Sequence, residues 1–237
     1  MKFEFEFDNV RTSNVCNMGH TYSMEGVPVA EVDCEDLGVT FTTDLKSAAH
    51  CKNAYSRANR MLGLLNRTIK YKNQVVITIL YKSIVRPHLE YCSTTWNPHY
   101  NKYKFLLESV QHRFTRMFPR LRSLSYEDRL HQLGLWPLEE RRDRDDLIEL
   151  FTMIKGFSST PWSQFFKKAE NTSTRGHTWK LAKKSSRCDI RLHFFSQRVI
   201  NRWNSLSQED VDAQSINSFK GQLEKRRARQ MDFFKDL

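Results

Sequence analysis

From Asp44 onward the apolar residues fall into a helical rhythm. Ala48, Cys51, Tyr55, Ala58, Leu62, Leu65 and Ile69 recur in steps of three and four, which places them on one stripe of a single long helix. The opposite side carries Lys52, Arg57, Arg60 and Arg67, which read either as a solvated face or as one turned toward phosphates. A second helix is predicted over 73–86 with Ile84 and Val85 on its inner face, and Pro87 should end or kink it. Trp96-Asn97-Pro98 makes another break before a third helix over 101–118, with Leu106, Val110, Phe114 and Met117 inward. Between the two breaks, residues 81–100 gather Tyr81, Ile84, Val85, Leu89, Tyr91, Trp96 and Tyr100 around Arg86, His88 and His99, the composition of a buried hinge.

The pattern on either side is different. Phe3, Phe5 and Phe7 alternate with charged residues, the period of a half-buried strand. Residues 22–29 read as strand, turn at Glu25-Gly26, and strand, with Leu37–Phe41 as a third strand. Past the third helix, Ser125 opens a short helix in capping-box fashion, and Gly134 stops it. Leu138 to Lys155 follows with Ile148, Phe151 and Ile154 apolar and Gly156 closing it, and residues 156–174 are Ser/Thr-rich. Phe194, Phe195, Val199, Trp203 and Leu206 mark an amphipathic helix, and Ile216, Phe219, Leu223 and Phe234 a last one. The fold class is mainly α with a small N-terminal β portion (α+β). Its expected units are a β edge at 1–42, a helical bundle at 43–120, connecting helices at 121–157, a linker at 158–174 and a basic helical module at 175–237.

Charge sharpens this division. The chain of 237 residues carries a net +11, yet residues 1–42 hold only Lys2 and Arg11 against eight acidic side chains, a net of −6, so +17 falls on the rest. Residues 171–206 are the most basic, with Arg175, Lys180, Lys183, Lys184, Arg187, Arg191, Arg198 and Arg202 against Asp189 alone. That concentration favours a polyanion site on the later part of the chain. Five cysteines without a CxxC pair imply neither a disulfide framework nor a structural zinc site, and a reducing compartment, cytosol or nucleus, is expected. The N-terminal MKFEFEFDNV lacks the pattern of a signal or transit peptide, and no apolar run approaches the ~18 residues of a membrane span.

The run Tyr81-Lys82-Ser83-Ile84-Val85-Arg86-Pro87-His88-Leu89-Glu90-Tyr91-Cys92 followed by Trp96-Asn97-Pro98 resembles the segment just past the polymerase palm in reverse transcriptases of non-LTR retrotransposons, the jockey-like and chicken-repeat-like group. Further matches lie in family order: Tyr22-Ser23-Met24-Glu25-Gly26, Asp36-Leu37-Gly38-Val39, Ala58-Asn59-Arg60-Met61-Leu62-Gly63, Leu133-Gly134-Leu135, Thr174-Arg175-Gly176-His177, and Phe194–Asn201 leading to Trp203-Asn204-Ser205-Leu206. The resemblance implies a palm edge, a helical thumb gripping the template-primer backbone, and a post-thumb module. It makes RNA or an RNA–DNA hybrid the expected partner, with a full-length reverse transcriptase or another protein as further candidates. Arg57, Arg60, Arg67, Arg175, Lys180, Lys183, Lys184, Arg187 and Arg191 are then the candidate backbone contacts, and Trp179 is either a base-stacking residue or ordinary core.

Catalysis is not expected of this chain alone. The family's metal-binding aspartates sit in an aromatic-Ala-Asp-Asp hairpin and an earlier Asp, both preceding the matched region, so Mg2+ belongs only to a complete polymerase. Glu35-Asp36 aligns with a non-catalytic motif. Asp145-Asp146 lies in mid-helix, where neighbours diverge by about 100°, and Arg141, Arg142 and Arg144 are its expected partners. No Gly-rich phosphate loop, GxSxG or HExxH occurs, and His177, Cys188 and His193 are too few and too loosely spaced for zinc. Two other readings stay open: a protein-interaction module using helices 194–206 and 216–234, and a remnant without function.

Overall fold

The structure is a computed structural model that describes residues 23–24, 27–28, 34–71, 73–170, 176–230 and 233–234. The Phe3–Phe7 strand and Arg175 lie outside these residues. The described chain is mainly helical with a small antiparallel β portion near the N-terminus. β1 (Ser23–Met24) pairs with β2 (Val27–Pro28), and β3 (Cys34–Asp36) with β4 (Val39–Phe41). Leu37-Gly38, expected inside a strand, is instead the two-residue turn between β3 and β4. Both residues take positive φ, 46° and 82°, as a tight hairpin turn matched to strand twist requires.

α1 (Ala48–Thr68) follows, and its buried side is the predicted stripe: Cys51, Ala54, Ala58, Leu62 and Leu65, with His50 beside them. The Thr40 amide donates to His50 Nδ1 at 3.1 Å and so fastens the hairpin to the helix. The second helix breaks before Pro87 as expected, through a device the sequence did not show: α2 (Gln74–Leu80) widens into a π turn over Tyr81–Val85, with the Arg86 amide bonded to the Tyr81 carbonyl at 2.9 Å. A prolyl ring clashes with the carbonyl four residues back in a regular helix. The widened turn relieves that clash, and Pro87 opens α3 (Pro87–Glu90) at its first position, where a missing N–H costs nothing. Cys92, at φ 51°, then turns the chain into α4 (Ser93–Trp96). Of the expected hinge core, Tyr81, Val85, Leu89 and Trp96 are buried, whereas Ile84, Tyr91 and Tyr100 are exposed. The π turn rotates Ile84 outward.

α5 (Asn101–Thr115) packs along α1. The Tyr81 ring stacks on Phe114 at 3.9 Å, and its hydroxyl donates to Gln111 Oε1 at 3.0 Å. Gln111 in turn donates to the Trp136 carbonyl at 2.9 Å. α6 (Tyr126–Leu133) starts at Ser125, whose hydroxyl accepts from the Asp128 amide, and stops at Gly134 with φ 57°, both as predicted.

α7 (Leu138–Ile154) is the element on which the rest converges. Its first turn closes a core of residues 39 to 138, and its second half opens a core running from Leu147 to Phe234. α9 (Phe195–Asn204) and α11 (Ile216–Arg229) pack on it from the far side, preceded by the short α8 (Asp189–Leu192) and linked by α10 (Gln208–Val211). Residues 158–170 are packed rather than a free tether: Phe166 is buried in the second core, and Lys168 forms a β-bridge with Leu181.

Between the cores runs a buried polar seam. Asp146 takes a two-pronged contact from Arg198 at 2.7 and 2.9 Å, and Arg198 also donates to the Thr94 carbonyl at 2.7 Å. Asp143 faces Arg202 at 3.2 Å, and Arg142 donates through Nε to Asn97 at 2.9 Å. The arginines flanking Asp145-Asp146 act on that pair only through space, and their direct contacts among the described residues go elsewhere. Arg141 binds Glu90 and Arg144 reaches Glu224, so carboxylates on other elements take these guanidiniums even though Arg141 lies one turn from Asp145.

Among the described residues no cation is hydrogen-bonded to Asp145, and burial, followed by the Glu90 charge, raises its pKa from 3.8 to about 6. A carboxyl whose folded pKa lies above its unfolded one loses stability as pH rises between those two values and stays penalised above them. Asp145→Asn is therefore expected to raise stability at pH 8 by roughly 1–2 kcal/mol and to leave it nearly unchanged at pH 4. Urea unfolding at the two pH values checks this.

Candidate nucleic-acid interface

The basic segment is held to the second core by its backbone. Asn204, near the end of α9, donates to the Leu181 carbonyl at 2.8 Å and accepts from the Leu181 amide at 2.9 Å. Trp203 Nε1 donates to the Trp179 carbonyl at 2.7 Å. His177 is buried, with Nε2 donating to the Trp203 carbonyl at 2.9 Å and Nδ1 accepting from the Trp179 amide at 3.1 Å. Burial lowers the pKa of this imidazole, in keeping with one nitrogen acting as acceptor. Gly176 takes φ 133°, a backbone conformation that residues with a Cβ rarely adopt, so a substitution there is strained. The Ala169 amide bonds to the Lys180 carbonyl and the Ala182 amide to the Lys167 carbonyl at 2.9 and 2.8 Å, laying residues 167–169 beside 180–182.

That pairing brings together cations far apart in sequence. Lys167, Lys184 and Arg191 border one surface hollow against the start of α9, with Phe165 on its wall. Ser196 and Gln197, in the first turn of α9, line the same hollow. The Ser196 hydroxyl and the Gln197 Oε1 are buried without a hydrogen-bond partner among the described residues. Phe194 caps α9 without a side-chain hydrogen bond, so the positive end of the helix dipole also faces this region. Three cations, one unsatisfied donor and one unsatisfied acceptor are suited to a phosphate and the sugar attached to it.

The other predicted residues are placed as follows. Lys183 and Arg187 are exposed on the same segment, and Arg191 lies over the Phe194 ring at 5.8 Å. Arg57, Arg60 and Arg67 are exposed on α1, on the first core rather than at the hollow, and Arg57 pairs with Glu35 at 2.8 Å. Trp179 is half-buried at the margin of the second core, edge-on to Trp162, with Lys168 Nζ 4.8 Å from its ring centre. One face of Trp179 is thus already occupied by a cation, and base stacking there would require Lys168 to move. Arg198 and Arg202, counted in the basic stretch, are turned inward onto Asp146 and Asp143. Lys167, Ser196 and Gln197 escaped the sequence reading. The Lys167-Lys168 pair was a visible signal, but only the bridge to Leu181 sets it beside Lys184.

No protein-family model, curated protein or solved structure matches the chain.

A buried hydroxyl without a partner costs about 1–3 kcal/mol. Ser196→Ala is expected to leave the ligand-free protein as stable or up to about 1 kcal/mol more stable, while weakening any anion held in the hollow. A urea midpoint that drops in phosphate-free buffer would show that the hydroxyl is satisfied.

Proposed function

We propose that this chain is a non-catalytic, carboxy-terminal part of a non-LTR-retrotransposon type of RNA-directed DNA polymerase, and that it binds the sugar-phosphate backbone of RNA or an RNA–DNA hybrid. The observation that carries the binding role is the hollow in which Lys167, Lys184 and Arg191 meet the unpartnered Ser196 and Gln197. Backbone binding of this sort is driven by counterion release and demands little of base identity. The family assignment rests on the ordered sequence resemblances. Many of those motif residues serve the interior here: Asn97 holds Arg142, Arg198 holds Asp146, and Trp203 and Asn204 hold the 179–181 strap. The chemistry of nucleotide addition would come from the palm of a complete polymerase and its Mg2+.

The reading as a protein-interaction module changes its surface. The apolar faces of helices 194–206 and 216–234 are occupied within the second core, where Phe195, Val199, Trp203, Phe219 and Leu223 are buried. Among the exposed apolar residues, Val75, Val76 and Ile79 fall on one side of α2, just after the exposed Tyr71 in sequence.

Fluorescence anisotropy of a labelled RNA–DNA hybrid at low and physiological salt separates these readings. Backbone binding predicts an affinity that falls steeply with salt. Lys183→Glu/Lys184→Glu should lower the slope of log K against log salt by about two. No binding at low salt would discard the nucleic-acid role, and salt-insensitive binding would favour the apolar α2 surface.

A further inference from the structure

His99, Asp189 and His193 come from two distant parts of the chain and meet at one point. Their nearest ligand atoms all lie within 4.8 Å of one another. Asp189 and His193 are four residues apart around α8 and so share a face, with His193 Nε2 3.4 Å from Asp189 Oδ1. His99 follows the Trp96-Asn97-Pro98 break and places Nε2 3.2 Å from Asp189 Oδ2.

The contact attracts the imidazole electrostatically, yet its alignment falls short of a well-directed hydrogen bond, and the Nε2 atom itself is buried. A ring nitrogen and a carboxylate oxygen this close can pair directly or can both turn toward a shared cation. The separations of 3.2 and 3.4 Å run to the two different oxygens of Asp189, so both imidazoles flank one carboxylate, and a tetrahedral ion, which spaces its donors by roughly 3.3 Å, needs only small side-chain adjustments to draw the three ligand atoms together. The Tyr100 hydroxyl donates to Asp189 Oδ2 at 3.2 Å, the kind of outer contact that orients a ligating carboxylate.

We propose that His99, Asp189 and His193 form a binding site for a divalent transition-metal ion of borderline softness, Zn2+ foremost. Two imidazoles and one carboxylate suit Zn2+, Co2+ or Ni2+ rather than Mg2+ or Ca2+, which take oxygen ligands. The two imidazole rings stack in parallel, 4.2 Å apart and 1° from coplanar orientation. To share one ion they must turn about the bond to the ring, a torsion that is soft in histidine. Asp189 is exposed, so a three-ligand ion keeps a coordination position open to water or to an anionic oxygen. The ion would join the joint after α4 to the basic segment that ends in α8, fastening the hollow-bearing module to the rest of the protein.

The site is tested on the full-length chain after chelator stripping, by titration with Co2+ and then Zn2+. One equivalent of Co2+ should give the visible bands of a low-symmetry nitrogen/oxygen site, displaced by Zn2+, and Zn2+ should raise the thermal midpoint. His193→Ala and Asp189→Asn, both at partly exposed positions, should each weaken binding at least about tenfold and abolish the thermal shift, with unchanged circular dichroism. A Cys92→Ser/Cys188→Ser variant removes the exposed and the half-buried thiol among the described residues and should bind as the parent does. Three outcomes would overturn the site: no saturable Co2+ spectrum, thiolate-to-cobalt charge-transfer absorption, or tight binding that survives both the His193 and the Asp189 variants.

Discussion

Arg142, Asp143 and Asp146 place three charges on the buried side of α7, and the packing of both halves of the molecule follows from the need to match them. A charge removed from water without a partner costs several kcal/mol. Asp146 is matched by Arg198 and Asp143 by Arg202, both on α9. Arg142 donates through Nε to Asn97 from the joint after α4 and feels the nearby Glu108 and Asp146 charges, while its two terminal nitrogens have no hydrogen-bond partner among the described residues. The second core therefore docks in one register, since a displaced α9 would strand two carboxylates. Arg198 extends the link by donating to the Thr94 carbonyl, so a single guanidinium touches both halves.

The same helix divides its duties by position. Arg198 and Arg202 face inward to the seam, whereas Ser196 and Gln197, immediately before Arg198, line the surface hollow. Sequence-level net charge consequently overstates the free positive charge of this module, because part of it is neutralised inside. What remains is concentrated by a backbone device, the pairing of 167–169 with 180–182, which sets Lys167 near Lys184 and Arg191. A polyanion would meet a shaped pocket, not a diffuse cloud of lysines.

Local signals were read where local physics decides the outcome. The apolar stripe of α1 is buried as its spacing required, since 3.6-residue periodicity leaves one face for the core. Ser125 and Gly134 bound α6, since a hydroxyl cap and a positive φ are properties of one turn of chain. Pro87 marks the break after the second helix as its chemistry requires, but the sequence did not show that the last turn before it is a π turn, which takes the carbonyl four residues back out of the ring's path. Leu37-Gly38 misled because a two-residue turn looks like a strand until the register of its neighbours is known.

By itself, the sequence determined a mainly helical chain with a small β portion, the position of most helices and the uneven distribution of charge. These follow from periodicity, caps and counting, all of which act over a few residues. Only the tertiary structure decided which charges face each other, that Asp146 belongs to Arg198 rather than to its flanking arginines, and that Lys167, Lys184, Ser196 and Gln197 share one hollow. It also decided that His99 meets Asp189 and His193 across some ninety residues of chain. Such pairings depend on how helices pack against one another, and no short-range pattern encodes the partner of a side chain that lies on another element.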